Sequence, residues 1–486
     1  MPPVQMLRLA LLAALLSTAS AQAHDAAVPV QGRAWLAGDH HVHSRYSVGY
    51  TPSPNPGEPP TPVIAGDARY PIPTNAQMAV RHGLSWMVST DHGGPNHSKV
   101  NREMAYPELL RSRQEAPGLI QFYGMEFDTP GADHSSLIVP HTDDEREVLY
   151  EIESRFSERE PWPADPGRDT EPKMLEALEH MKSVATPPVV IANHPSRSAK
   201  GVGDYGQDTP AELRNWNDTA PRIAVGMEGA PGHQASALKP DGSVKPEGAR
   251  GGYRNAPTMG GFDQMTARLG GFWDSMLGEG RRWWVTSTSD SHRHYTEGGS
   301  DFWPGEYSKT YVLARHDYDD ILDGLRNGRV FVTTGDLVSE LDVTLAPARG
   351  RRDGGASIGG ELHVRKGQDV RVTIRLRDPA GANFGGRSPA VERIDLIRSE
   401  ITGPLADRTS DANPHARVEK RFTAADWKRD GEVLTMSYVL QDVRQASYVR
   451  VRGTSSAEQE PTPDPAGEDP WSDLWFYANP VFIAVD

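Results

Sequence analysis

The sequence predicts an α/β protein, a barrel of alternating strands and helices over residues 24–345 followed by a small β-sandwich over 356–486. Three observations carry this expectation. Through the first two thirds, short apolar runs alternate with segments of helical periodicity, which implies a parallel sheet. Polar residues stand just after several of the apolar runs, as in Thr90-Asp91-His92 and Asn193-His194-Pro195, the position where the carboxyl-end loops of a barrel carry its site. From about Leu337 the pattern changes to strict alternation, as in Val370 to Leu376 and Tyr448 to Arg452, which reads as half-buried strands of a sandwich.

Taken in order, residues 1–23 have the form of a secretory signal: Arg8 precedes an apolar run from Leu9 to Leu16, and Ala21-Gln22-Ala23 precedes a cleavage point at His24. That run is less than half of the ~20 residues a membrane span needs. The expected location is therefore the periplasm or the exterior, with no membrane span. Ala76 to His82 forms a helix closed by Gly83, and Leu84 to Ser89 a strand ending at Thr90-Asp91-His92. Met174, Leu175, Leu178 and Met181 recur at helical spacing, Pro187-Pro188 break that helix, and Val189 to Ala192 form the next strand. Ile321, Leu322 and Leu325 lie on a helix stopped at Gly328, ahead of the strand Val330 to Thr333. Segment 346–360 is the expected junction. Residues 51–62, half of them proline, and residues 453–470 read as surface loops.

Among the 486 residues, 66 Asp and Glu stand against 51 Lys and Arg, a formal charge of −15, and long-range repulsion of that sign opposes nucleic acid as a partner. With no cysteine, any metal must be held by His, Asp and Glu. Fifteen of the seventeen histidines fall between His24 and His316, so the chemistry is expected there. Asp39-His40-His41-Val42-His43 is the sharpest signal, because residues two apart on a strand share a face and both imidazoles reach one ion. Thr90-Asp91-His92, Gly124 to Asp128, Ala132-Asp133-His134, Asn193-His194-Pro195 and Ser289 to His292 each add hard or borderline ligands near a strand end.

This ordered set, HxH, DH, GxE, H, HP and DxH over roughly residues 33–336, resembles the PHP (polymerase and histidinol phosphatase) superfamily of metal-dependent hydrolases, and more narrowly its secreted CehA/McbA-like members. The resemblance implies a distorted (β/α)7 barrel and two or three divalent ions, Zn, Mn or Fe. It implies one ion on His41, His43, Glu126 and Asp290, with Glu126 bridging to a second on His134 and His194, and a third position served by His92 and His292. Asp39 is implied to orient a ligand imidazole. The family's usual Asp or His a few residues past HxH is absent, since the segment reads Ser47-Val48-Gly49; Asp67, after the Pro-rich insert, is the expected replacement. Pro195 is expected to hold His194 in extended backbone, and the short turn through Pro130-Gly131 to return His134 to the face of Glu126.

Arg197, Glu228 and His233 are the candidate catalytic side chains, with Arg45, Arg293 and Lys309 as further candidate anion contacts. The expected activity is hydrolysis of organic phosphate mono- or diesters through a metal-bridging hydroxide. The alternatives are hydrolysis of a carboxylic or carbamate ester at the same metal site, and, in another class, a cell-surface binding protein built on a degenerate barrel.

Overall fold

The computed structural model describes residues 32–349 and 355–486; the expected signal segment, residues 1–23, lies outside them, as do residues 350–354 of the expected junction. The architecture is mixed α/β. Ala34–Val42, Trp86–Ser89 and Ile120–Asp128 form one run of parallel strands, and Val189–Ala192, Ala224–Ala230 and Trp284–Ser287 form a second. His134–Val139 joins the two runs and is antiparallel to both its neighbours, so the sheet is not uniformly parallel as expected. The reason is the link: residues 129–133 suffice for a hairpin, whereas a parallel crossover takes a dozen or more residues.

Helices fill the longer links between strands. Ile72–Arg81 opens with Pro73 in its first turn and ends ahead of Gly83, whose φ of +80° only glycine adopts without strain. Glu171–Ser183 buries Met174, Ala177, Leu178 and Met181, the helical stripe visible in the sequence. Tyr318–Arg326 starts where the Asp317 carboxylate accepts the Asp320 amide. Trp283 and Trp284 are core residues.

On its other side Ala34–Val42 pairs antiparallel with Ser308–Ala314, which pairs in turn with Val330–Thr334. Among the described residues no backbone ladder joins Trp284–Ser287 to these strands, so the sheet is not a closed barrel. Side chains bridge the gap instead. The Thr310 hydroxyl accepts from the Ser287 amide and donates to its carbonyl (2.8 and 2.7 Å), and the Asn479 amide does the same for Val285 (2.9 and 3.2 Å). The sheet thus curls until its Trp284–Ser287 edge lies against Ser308–Ala314 and Val330–Thr334, and Val42 bridges to Ser291 beyond the last parallel strand.

A separate antiparallel sheet contains Ala356–Ser357, Glu340–Pro347, Gln368–Arg377, Val433–Val443 and Lys428–Asp430, in that order. Its apolar face, including Val372, Ile374, Leu434 and Met436, shares a core with Leu396, Val449, Val451 and Ile483 of strands belonging to the first sheet. Two departures from the sequence reading follow. The large sheet runs through the expected domain boundary, because Trp475–Ala478 pairs with Val330–Thr334. Ser447–Thr454 is buried on both faces, with Arg450 and Arg452 inside, where Asp274 and Asp395 neutralise them.

Candidate metal centre

His41 of the first strand and His43, one residue past its end, lie side by side, ring centroids 4.9 Å apart, as the period of the pleat requires. The His43 amide donates to the Ser291 carbonyl and so ties this strand to the loop that carries Asp290. Glu126 lies near the end of its buried strand. His194 and Asp290 both adopt left-handed backbone (φ +31° and +47°), costly for residues with a side chain and characteristic of sites over-determined by their surroundings. His194 is therefore not extended as expected from Pro195: the buried Glu228 carboxylate accepts its amide at 2.7 Å and holds the turn.

These elements converge on Glu126. Its Oε1 lies 3.1 Å from His41 Nε2, 3.0 Å from His134 Nδ1 and 3.0 Å from His194 Nε2, and its Oε2 lies 3.4 Å from His43 Nε2. Asp290 Oδ1 is 3.2 Å from His41 Nε2 and 3.1 Å from His43 Nε2. The ligand atoms of His41, His43, Glu126 and Asp290 fall within the compass of one ion, and those of Glu126, His134 and His194 within that of a second. A third group combines His43, His92 and His292. Asp67 closes it, its Oδ2 3.0 Å from His92 Nε2 and 3.3 Å from His292 Nε2. The Pro-rich segment delivers it: residues 49–63 fold back as a two-stranded hairpin, Gly49–Thr51 against Thr61–Val63, and Gly66 lies so close to Gly49 that a side chain would collide with its backbone. Val48 is buried core.

Charge follows this geometry. Burial pushes the Glu126 carboxyl up, but the charges of His134 and His41 overcome it and hold the group well below the usual carboxylate range. Asp290 is likewise held well below that range against its burial, by His233 and His41, and Asp67 is lowered against its burial by hydrogen bonds to His292 and His92. Burial drives His43 well below the usual imidazole range, with the His292 charge adding to it.

A surrounding layer fixes the rings. Glu228 Oε1 accepts from His41 Nδ1 at 2.7 Å. The Ser47 hydroxyl donates to Asp91, so it accepts from His43 Nδ1 (2.8 Å), and His292 Nδ1 donates to the Asp290 carbonyl (3.0 Å). In each ring the far nitrogen is anchored and the near one faces the cluster, where on deprotonation its lone pair would serve an ion. The orienting role expected of Asp39 thus belongs to Glu228; Asp39 accepts the amides of His41 and Ser289 instead. Glu228 is fully buried behind His41 and engaged with the Thr288 hydroxyl and the His194 amide, which removes it from the catalytic candidates. Asp91 likewise supports a ring and is no ligand.

His233 lies at the rim, bridging Asp290 Oδ2 (2.9 Å) and Asp301 Oδ1 (2.5 Å); burial alone lowers it, but the two carboxylates push it up to about 10. Arg197 also lines the rim, 3.3 Å from Asp133. Arg159, which no motif signalled, pairs with Asp128 and approaches His92 Nδ1 (3.2 Å) and His134 Nε2 (3.3 Å). Other candidates fall away. Arg45 is held by Glu108 and Tyr46, and Lys309 pairs with Asp336. Arg293 makes no hydrogen bond or ion pair through its guanidinium among the described residues, and no contact draws it to the ligand set. His40, His97, His141 and His294 are satisfied by Ser136 and Thr286, Glu153, Glu145 and Glu306 respectively.

The residues present suit divalent ions. His43 Nε2, His134 Nδ1 and Asp290 Oδ1 are buried, aimed into the cluster, and make no hydrogen bond, while the opposite sides of the His41 and His43 rings are anchored. An all-nitrogen and oxygen donor set suits Zn, Mn or Fe. Against known proteins, no family model matches the chain, and no curated protein matches it.

Proposed function

We propose that the chain is an exported metal-dependent phosphoesterase of the PHP type, CehA/McbA-like, whose curled sheet is a distorted (β/α)7 barrel. The observation that carries this reading is the sharing of Glu126 between two ligand sets, His41/His43/Asp290 and His134/His194, with Asp67, His92 and His292 grouped beside them. Divalent ions bound there supply an activated water near neutral pH and polarise the scissile ester.

The chain's own residues do the rest. Glu228 and Ser47 hold the far nitrogens of His41 and His43, so that the near nitrogens face the position an ion would take. Arg197 and Arg159 stand at the rim, and their planar forks match phosphoryl oxygens better than the carbonyl of a neutral ester; this supports phosphoester over carboxylic or carbamate ester. His233, held between Asp290 and Asp301, faces the same rim and is placed to pass a proton to a departing oxygen. The signal-like composition of residues 1–23 supports export, which suits substrates too charged to cross the inner membrane. No helix among the described residues is long and apolar enough to cross a membrane.

The test is elemental analysis of purified protein combined with a panel of aryl phosphomonoesters, phosphodiesters and carboxylic esters. Two to three equivalents of metal with turnover of a phosphoester are expected. Turnover of the carboxylic esters alone would transfer the site to the second reading, and metal-free protein without turnover would leave a binding protein.

A further inference from the structure

Away from the metal centre, one face of the large sheet carries a row of charge. Register places Arg421, Asp395, Arg452 and Tyr477 directly opposite one another on four adjacent strands, with Arg393 one step along the same face. Asp395 serves three guanidinium groups: Arg393 Nε at 3.1 Å, Arg452 Nε at 3.2 Å and Arg421 Nε at 3.4 Å. Glu460, from the 453–470 segment, serves Arg421 and Arg452. Three cations therefore meet two carboxylates, and one positive charge is left over. Arg393 and Arg452 are buried, and both stand over the ring of Trp475, 5.6 and 5.7 Å from its centroid.

The ring lies against each guanidinium but accepts none of its edge N–H groups. Both terminal nitrogens of Arg393 are buried without a hydrogen bond, and so are Arg452 Nη1 and the Tyr477 hydroxyl. A buried surplus cation and several unmade donors each carry a large desolvation cost. Burial lowers the Arg393 pKa and the charges of Arg452 and Arg421 add to it, together outweighing the Asp395 carboxylate that the three guanidinium groups share.

We propose that Arg393, Arg452 and Arg421 form a binding site for a small inorganic oxyanion, phosphate or sulfate in class, which takes the two free donors of Arg393 as a bidentate pair and neutralises the cluster. Arg421 and Glu460 are half-exposed, so the anion enters from the surface beneath the 453–470 segment. That segment is thus more than the surface loop its composition suggests: Glu460 holds the arginines, and Asp464 accepts the amides of Gly260 and Gly261.

Sulfate is the probe, and the full-length protein is used. Thermal midpoints are measured against sulfate at constant ionic strength for wild type and Arg393→Gln. Exclusion of sulfate from protein surfaces raises both linearly; the proposal requires an additional, saturable rise at millimolar sulfate in wild type, with half-saturation moved at least about tenfold in the variant. Crystals soaked in selenate should show anomalous density beside the Arg393 terminal nitrogens. Identical linear responses in the two proteins overturn the proposal, and so does selenate density without a saturable response, which would mark an adventitious ion only. If Arg393→Gln does not fold, saturation and selenate density in wild type decide alone, and a soaked crystal with no density there refutes the site.

Discussion

Replacing Glu126 with Gln keeps the shape of the side chain and removes its charge, at a position where three imidazole nitrogens lie 3.0–3.1 Å from a single oxygen. The two ligand sets are not equally exposed to this change. The His41/His43/Asp290 position retains three protein ligands, whereas the His134/His194 position is left with two imidazoles, so the second ion should be lost first. Perturbing even an outer partner of a metal ligand costs ~10–100-fold in affinity or activity; loss of a shared direct ligand should therefore cost at least ~100-fold in turnover, about 2.7 kcal/mol at ~1.36 kcal/mol per decade. The assay is metal content by mass spectrometry alongside aryl phosphate turnover, with near-ultraviolet circular dichroism to show that the fold survives. The expected outcome is a fall of about one metal equivalent with residual, weakened binding at His41 and His43. Full metal content with turnover within about threefold of wild type would refute the bridging role.

Asp67→Ala should remove the carboxylate that closes the His92/His292 position and lower metal content by one equivalent, leaving the Glu126-bridged pair intact; unchanged stoichiometry and turnover would show Asp67 to be a bystander. Glu228→Ala should weaken metal binding ~10–100-fold by freeing the His41 ring, while Glu228→Gln, which keeps an acceptor, should recover most of it, as read by metal titration. Asp274→Ala should destabilise the fold by about 3–5 kcal/mol in denaturant unfolding, since it strands the fully buried Arg450 that it binds through both oxygens. Burial, with Glu171 adding to it, pushes the Glu212 carboxyl up to about 8. Its protonated form is thus favoured in the native state, and the stability it lends is complete below the unfolded value and is lost as pH rises through about 8. Glu212→Gln should accordingly melt above wild type at pH 9 and level with it at pH 4, and parallel curves across that range would contradict the assignment.

The sequence alone determined the local part of the site. A strand pleat has period two, so His41 and His43 had to share a face wherever the strand went, and the apolar runs ending at Ser89 and Ala192 marked where His92 and His194 would emerge. The link 129–133 was short enough to return His134 toward Glu126 in any fold. Tertiary structure decided the rest, because side chains far apart in sequence meet only through packing and pairing that no local period encodes. Asp67 reaches His92 because a proline-rich hairpin folds back on itself and Gly66 packs on Gly49. Glu228, and not Asp39, holds the His41 ring, since Asp39 is occupied by two backbone amides that arrive with the 289 loop. Arg159 arrives from a loop with no motif at all, and Arg450 and Arg452 read as solvent-facing by alternation yet are buried, since a second layer bearing Asp274 covers that face. Alternation specifies which residues share a face, and only the assembled molecule specifies whether that face meets water or protein.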